Sequence, residues 1–477
     1  MINYSSKKSE KYYLLFTLFK ITILILLGAV MVYGFNNPFT RLIYYGSIIL
    51  IFFFSKDKVF PIALIFILIA NPSGLFYTSP YNWILGITSK VGLLYSHAFA
   101  IAIFAKYLIN ISWRGHLLRG YINKEYKYFI LYVGFLLIWG LIFGHSSKSA
   151  YDLVTTILVF SMFYVLSKVF SLNEFTFFNR IIFGFCIIYS VVSVLDILFV
   201  GQVSKLLFFG QLARGPAVTE DLVRIFGGVW IALYSLIFSL YYILNNKRLF
   251  NYYFLFFVII SSLIILINSG TRGWITASLL LLSSFLLFYI LKRKILVIHS
   301  ISALIIVLLG LLILPLNLKE NIKGSFERFS TVRYVAEGDL TAGGTASRWN
   351  VRGPKVLSKF SESPIFGYGF SKETSNSFDP HVGNHTILLV GGILGISILL
   401  ITILKLVIFL FLLEKSNKQF MGLFIFGLGL LSIVIIHSTN MIAISFVRMP
   451  VNSAFVIALI FNFINANINQ YKSITVE

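Results

Sequence analysis

One cysteine in 477 residues, Cys186, leaves this chain neither a disulfide framework nor a thiolate metal cluster. It lies inside an apolar run and reads as a small packing residue. Charge is scarce as well. Charged residues make up 12% against 58% hydrophobic and 17% aromatic, which excludes a water-soluble globular protein. Acids are the scarcest, 17 against 39 Lys and Arg, for a net charge of +22. No Asp-x-Asp pair stands on an early loop to hold a divalent cation, and Glu337-Gly338-Asp339 reads as a solvated turn. No internal repeat is visible.

What is abundant is apolar runs close to the ~20 residues that cross a bilayer. They recur along the whole chain, near 13–34, 39–54, 59–77, 91–110, 127–145, 151–170, 180–200, 223–245, 250–268, 274–291, 296–315, 384–412, 420–438 and 450–466. Backbone polar groups in lipid must be satisfied within their own segment, so these runs predict helices. The fold class is an all-α polytopic membrane protein of about fourteen transmembrane helices. Pro61, Pro72 and Gly74 interrupt the third run. The first run follows Lys7, Lys8 and Lys11, but it is too long for a signal-peptide core and reads as retained.

Basic residues set the expected orientation. Alternate gaps hold Lys56 and Lys58, then Arg114, Arg119, Lys124 and Lys127, then Lys247 and Arg248, then Lys292, Arg293 and Lys294, then Lys415 and Lys418. The gaps between them, at 35–40 and 145–150, hold only Lys148. Positive residues stay cytoplasmic, so both termini are expected in the cytoplasm of a multi-pass inner-membrane protein. The charge is thus a topology signal, and a nucleic-acid partner is excluded. Three stretches follow: 1–315 with transmembrane helices 1 to 11, a large outer (periplasmic) loop at 316–383 containing short helices, and 384–477 with helices 12 to 14 and a cytoplasmic tail.

The long loop has a Gly-rich centre, "EGDLTAGGTASRW", followed by "SRWNVRGPKVLSKFSES". The latter sets Trp349, Leu357 and Phe360 among basic residues and predicts a short surface helix, interrupted by Gly353-Pro354. Three arginines fall on the same outer side, where the positive-inside rule does not call for them. Arg272 is at the tip of the six-residue turn "NSGTRG", Arg224 is in "EDLVRIFGGVW", and Arg348 is in the loop. Snorkelling to headgroups is the alternative for Arg272, and pairing with Glu220 is the alternative for Arg224. Asp196, in "SVLDILFV", sits toward the same end and could line a cavity or pair with a basic neighbour.

The stretch "SRWNVRGPKVLSKFSESPIFGYGF", followed by "DPHVGNHTILLVGGILGISILL", resembles the signature region of the O-antigen ligase and polymerase superfamily, bacterial membrane proteins that handle lipid-linked glycans. The matching residues are Arg348, Pro364, Gly367, Gly369, His381, Gly392 and Gly395, and "NSGTRGW" resembles the family's Ser/Arg/Gly turn at Arg272. After its His the family usually has Asn, where this chain has Val382; His385 stands in the similar context "GNHTILL", so both histidines remain candidates.

The resemblance implies inverting, metal-independent transfer of a glycan from a polyprenyl-diphosphate donor to a sugar hydroxyl, with no cofactor. The acceptor would be a lipid-linked repeat unit for a polymerase or lipid A-core for a ligase. A chain-length regulator and membrane lipid are possible partners. The implied catalytic residues are His381 or His385 as base and Arg272 and Arg348 on the departing diphosphate. Arg224, Arg214, Arg352, Trp349 and Tyr368 are candidate substrate-binding residues, the two aromatics by stacking on sugar faces. The span count exceeds that typical of ligases and favours a polymerase. A flippase or other transporter of lipid-linked sugars is the reading from a different class, but it predicts two related halves with charges near the midplane.

Overall fold

The computed structural model describes residues 7–35, 37–70, 83–88, 91–112, 123–199, 227–245, 249–292, 316–327, 351–379, 382–416, 420–439 and 450–476. Its helices are α1 (Lys7–Gly28, prolonged by a wider turn over Ala29–Gly34), α2 (Pro38–Phe54), α3 (Val59–Ile69), α4 (Tyr95–Ser112), α5 (Asn123–Ile142), α6 (Ser147–Leu166), α7 (Leu172–Leu198) and α8 (Val229–Asn245). They continue with α9 (Tyr252–Asn268), α10 (Arg272–Lys292), α11 (Leu316–Glu327), α12 (Gly353–Phe360), α13 (Lys372–Ser377), α14 (Gly383–Ser416), α15 (Phe424–Thr439) and α16 (Val451–Val476). A helix lies at each anticipated span except 296–315, which is outside the described residues. Among the described residues, five helical stretches are long and apolar enough to cross a membrane: Tyr12–Val32, Ser147–Leu166, Leu172–Leu198, His385–Lys415 and Val451–Gln470. The other apolar helices are shorter, so the count of fourteen crossings is not established.

Two expectations change. The run at 91–110 does not begin as helix: strand β1 (Trp83–Thr88) pairs antiparallel with β2 (Val91–Leu94), and α4 starts only at Tyr95. Gly86 faces Gly92 across this hairpin, where the absence of side chains favours a tight pair over a helix. Gly353-Pro354 does not interrupt the loop helix but opens it, because a proline in the first turn forfeits no helical hydrogen bond.

Capping fixes several starts. Ser171 and Glu174 form a reciprocal capping box on α7, and Ser146 and Ser149 form one on α6. Helices α3, α7, α8, α9 and α16 then pack through a single large apolar cluster. Nearly every residue of α3 is buried, as expected of a helix that is apolar all round. Phe238 touches the rings of Tyr234, Phe426 and Phe463 with centroids 4.3, 4.9 and 5.2 Å away. Two buried asparagines are paired: Asn179 bonds to the hydroxyls of both Tyr234 and Tyr242, and Asn462 donates to the last helical carbonyl of α6 at Leu166.

The directions of three helices decide what meets at each end. The rings of Phe288 and Phe424 lie 3.9 Å apart, so the far end of α10 adjoins the start of α15. Val407 of α14 lies against Gly427 of α15, and α14 runs toward that same end. Arg272, about 24 Å of helix back from Phe288, therefore sits at the opposite end, as does the start of α14 with His385.

Candidate functional site

The turn carrying Arg272 is built by its neighbours. Gly270 adopts the left-handed conformation (φ 55°) that ends α9, and Thr271 gives its carbonyl to Ile275 N at 3.1 Å to open α10. Asn268, Ser269 and Thr271 are all buried, and Asn268 Nδ2 donates to Ser193 Oγ of α7 at 3.0 Å. Trp274 packs edge-on against Trp230 at 4.8 Å. Arg272 is thus half-buried at the first residue of a helix whose approach is fixed on both sides. Asp196 is fully buried one turn beyond Ser193, toward this same end.

A second structure is formed by the glycines. Helix α14 breaks at Gly392, whose φ of 63° and ψ of −166° are not helical. A break exposes backbone groups that lipid cannot satisfy. Here the segment 364–369 satisfies them: Tyr368 N and Gly369 N donate to Leu389 O and Val390 O at 2.8 Å each, while Ile393 N and Leu394 N donate to Pro364 O and Ile365 O at 2.9 and 3.1 Å. Gly391 O accepts from the hydroxyl of Tyr132, on α5, at 2.6 Å. The contact is so close that a Cβ on Gly367 would stand 2.6 Å from Leu389 O. A Cβ on Gly140 of α5 would stand 2.7 Å from the backbone of Phe370. Trp139 Nε1 donates to Gly367 O at 3.0 Å, and Phe370 N to Leu136 O at 3.2 Å.

The rest of the loop is tied by charge. Lys359 meets Glu362 at 2.6 Å and Glu373 at 3.1 Å, and its ammonium stands 5.0 Å from the centroid of the Tyr368 ring. The hydrogen bond that Lys359 donates to Glu362, and after it the one to Glu373, raises Lys359 above the ordinary lysine value. Hydrogen bonds from Lys359 and then Tyr368 lower Glu362 below the ordinary carboxylate value. Burial, and then the bond to Glu362, raises Tyr368. Arg352 pairs with Asp379 at 3.7 Å.

Of the anticipated site residues, Arg272 and His385 are brought to one end of the bundle, each in the first turn of its helix. The N-terminal ends of α10 and α14 both carry partial positive charge, which adds to that of the guanidinium. Tyr368 is only 3% exposed, wedged against Phe143 at 4.8 Å with its hydroxyl on Glu362, so its ring is a packing element rather than a sugar platform. Arg352 is exposed on the loop, beside Asp379. His381, Arg348, Trp349, Arg224 and Arg214 lie outside the described residues, and with His381 the pairing of the two histidines.

Residues 255–400 match the O-antigen ligase family model. That match bears out the superfamily read from the motifs, and it spans both the turn at Arg272 and the glycine break at Gly392. Among curated proteins, none matches the chain. The matched stretch excludes α5 and α6, yet the residues that clasp its glycines, Tyr132, Leu136, Trp139 and Gly140, all lie on α5. Sequence reasoning did not single these out. They recur at three- and four-residue spacing along one face, but α5 is apolar all round, so no stripe stands out from its background.

Proposed function

We propose that the protein transfers a glycan from a polyprenyl-diphosphate carrier to a sugar hydroxyl at the outer face of the bacterial inner membrane, in a single inverting step without a metal. The family match makes the ligase or polymerase type of activity the general reading. The observation that carries the mechanism is the common end shared by Arg272 and the His385 segment within the matched region.

In the step, the acceptor oxygen bonds to the anomeric carbon while the bond from that carbon to the diphosphate oxygen breaks. The electron pair leaves with the diphosphate, and the hydroxyl proton passes to His385 or His381. Charge grows on the diphosphate as the bond lengthens. Arg272 and Arg348 suit that need because guanidinium groups stay protonated and hold phosphate oxygens in a fork. Fixed in place beforehand, as the buried turn at 268–271 fixes Arg272, they favour the transition state without reorganising.

The test is reconstitution of the purified protein with a synthetic lipid-diphosphate repeat unit. Lengthened glycans that persist in chelator and fall by about 100-fold or more in Arg272→Ala and Arg348→Ala support the scheme. Full activity in both variants removes it. His381→Ala and His385→Ala, made separately, identify the base as the one whose loss stops transfer. The fourteen runs expected from the sequence favour a polymerase, whereas the matched family's description as O-antigen ligase favours the other acceptor. Offering the lipid-linked repeat unit and lipid A-core side by side decides between them.

A further inference from the structure

The segment leading to the histidines is fastened to α6, a helix outside the matched stretch. Helix α13 and its cap carry three buried hydroxyl residues, Ser371, Thr374 and Ser375. Two of them serve the loop itself: Ser371 Oγ accepts from Thr374 N at 3.2 Å, and Thr374 Oγ1 donates to Gly369 O at 2.7 Å. The third reaches out. Ser375 Oγ donates to the carboxylate of Asp152 at 3.1 Å, and Lys148, one turn earlier on α6, donates to the Ser375 carbonyl.

Asp152 is 1% exposed and is the only acid on α6. A carboxylate buried in an apolar helix is costly unless it is bonded, and the glycosyl-transfer scheme gives it no task. What it holds is informative. Helix α13 closes with Phe378 N on Thr374 O at 2.9 Å, Asp379 then pairs with Arg352, and two residues later comes His381. The chain that precedes both histidines in sequence is thus anchored in the interior at Ser375 and at the surface at Asp379.

We propose that Asp152 is a positioning residue: by accepting from Ser375 it fixes α13, and with it the segment that presents the histidine base. This rests on the transferase reading. The experiment uses the full-length protein and compares Asp152→Ala, Asp152→Asn and Ser375→Ala by amide hydrogen exchange over 371–379 and by kcat and KM for the lipid-diphosphate donor. Asparagine keeps an acceptor oxygen for Ser375. Asp152→Ala should speed exchange and lower kcat by about 10-fold with KM unchanged. Asp152→Asn should restore kcat to within about 2-fold of wild type, since the acceptor remains.

An Asn variant as impaired as the Ala variant would mean that the charge itself acts, and would overturn the proposal. So would unchanged exchange, or faster exchange with unchanged kcat. Where Asp152→Ala fails to fold, Ser375→Ala must show the same pairing of faster exchange with lower kcat. A wild-type protein without transfer activity defeats the transferase reading, while the exchange data still decide whether Asp152 holds α13.

Discussion

Two regions of this molecule are held together by different physics. Around α3, α7, α8, α9 and α16, stability comes from apolar volume: large side chains fill one continuous cluster, and the buried amides of Asn179 and Asn462 are hydrogen-bonded. Around 364–394 the buried apolar clusters are small, and backbone meets backbone through glycines. Packing of the first kind tolerates repacking, because any side chain of similar volume keeps most of the burial. Contact of the second kind tolerates almost nothing, because a Cβ at Gly367 or Gly392 would come within 2.6 or 2.2 Å of the facing backbone. Rigidity has been placed beside the proposed base, where geometry matters most.

Substitutions can break that contrast. Phe238→Ala in the large cluster should cost about 3–5 kcal/mol of stability, yet leave transfer per folded molecule unchanged; thermal unfolding together with an activity assay on the surviving fraction checks this. Gly392→Ala should cost about 1–3 kcal/mol from its backbone conformation (φ 63°, ψ −166°) alone, and should abolish transfer while circular dichroism still reports a helical protein. If Gly392→Ala remains active, the glycine interlock does not set the site.

Finer changes sharpen it. Tyr132→Phe removes one hydroxyl and leaves Gly391 O short of a donor, so a loss of about 1–3 kcal/mol is expected, with hydrogen exchange rising near 389–394 rather than in α3. The smallest effect belongs to Glu362. Its folded value lies below the ordinary one, so its support for the loop is present above the ordinary glutamate value of ~4.3 and is lost as pH falls through the folded value. The acid-side fall in thermal midpoint should therefore be slightly shallower in Glu362→Gln than in wild type. A steeper fall would contradict the sign.

Much of the fold was legible from hydropathy, because lipid leaves few options for a run of twenty apolar residues. The hairpin at 83–94 escaped because strand and helix starts look alike in a short apolar run. The site was legible in part. Pro364, Gly367, Gly369 and Gly392 were recognised as a motif, but their shared purpose, satisfying a broken helix, shows only in the hydrogen bonds. Tyr368 is a candidate for stacking on sugar by its place in an outer loop, and its ring packs against Phe143 while its hydroxyl bonds to Glu362, neither of which the local sequence announces. Asp152 and Ser375 are 223 residues apart, and nothing local in either stretch announces the other.

The central claim is that Arg272 and the start of α14 occupy one end of the bundle. Paired spin labels test it directly, in a Cys186→Ala background so that no native thiol competes. One protein carries labels at Arg272→Cys and His385→Cys, the other at Arg272→Cys and Lys415→Cys, near the far end of α14. The 272–385 separation should be clearly the shorter of the two; a 272–415 separation equal to it or shorter would contradict the account.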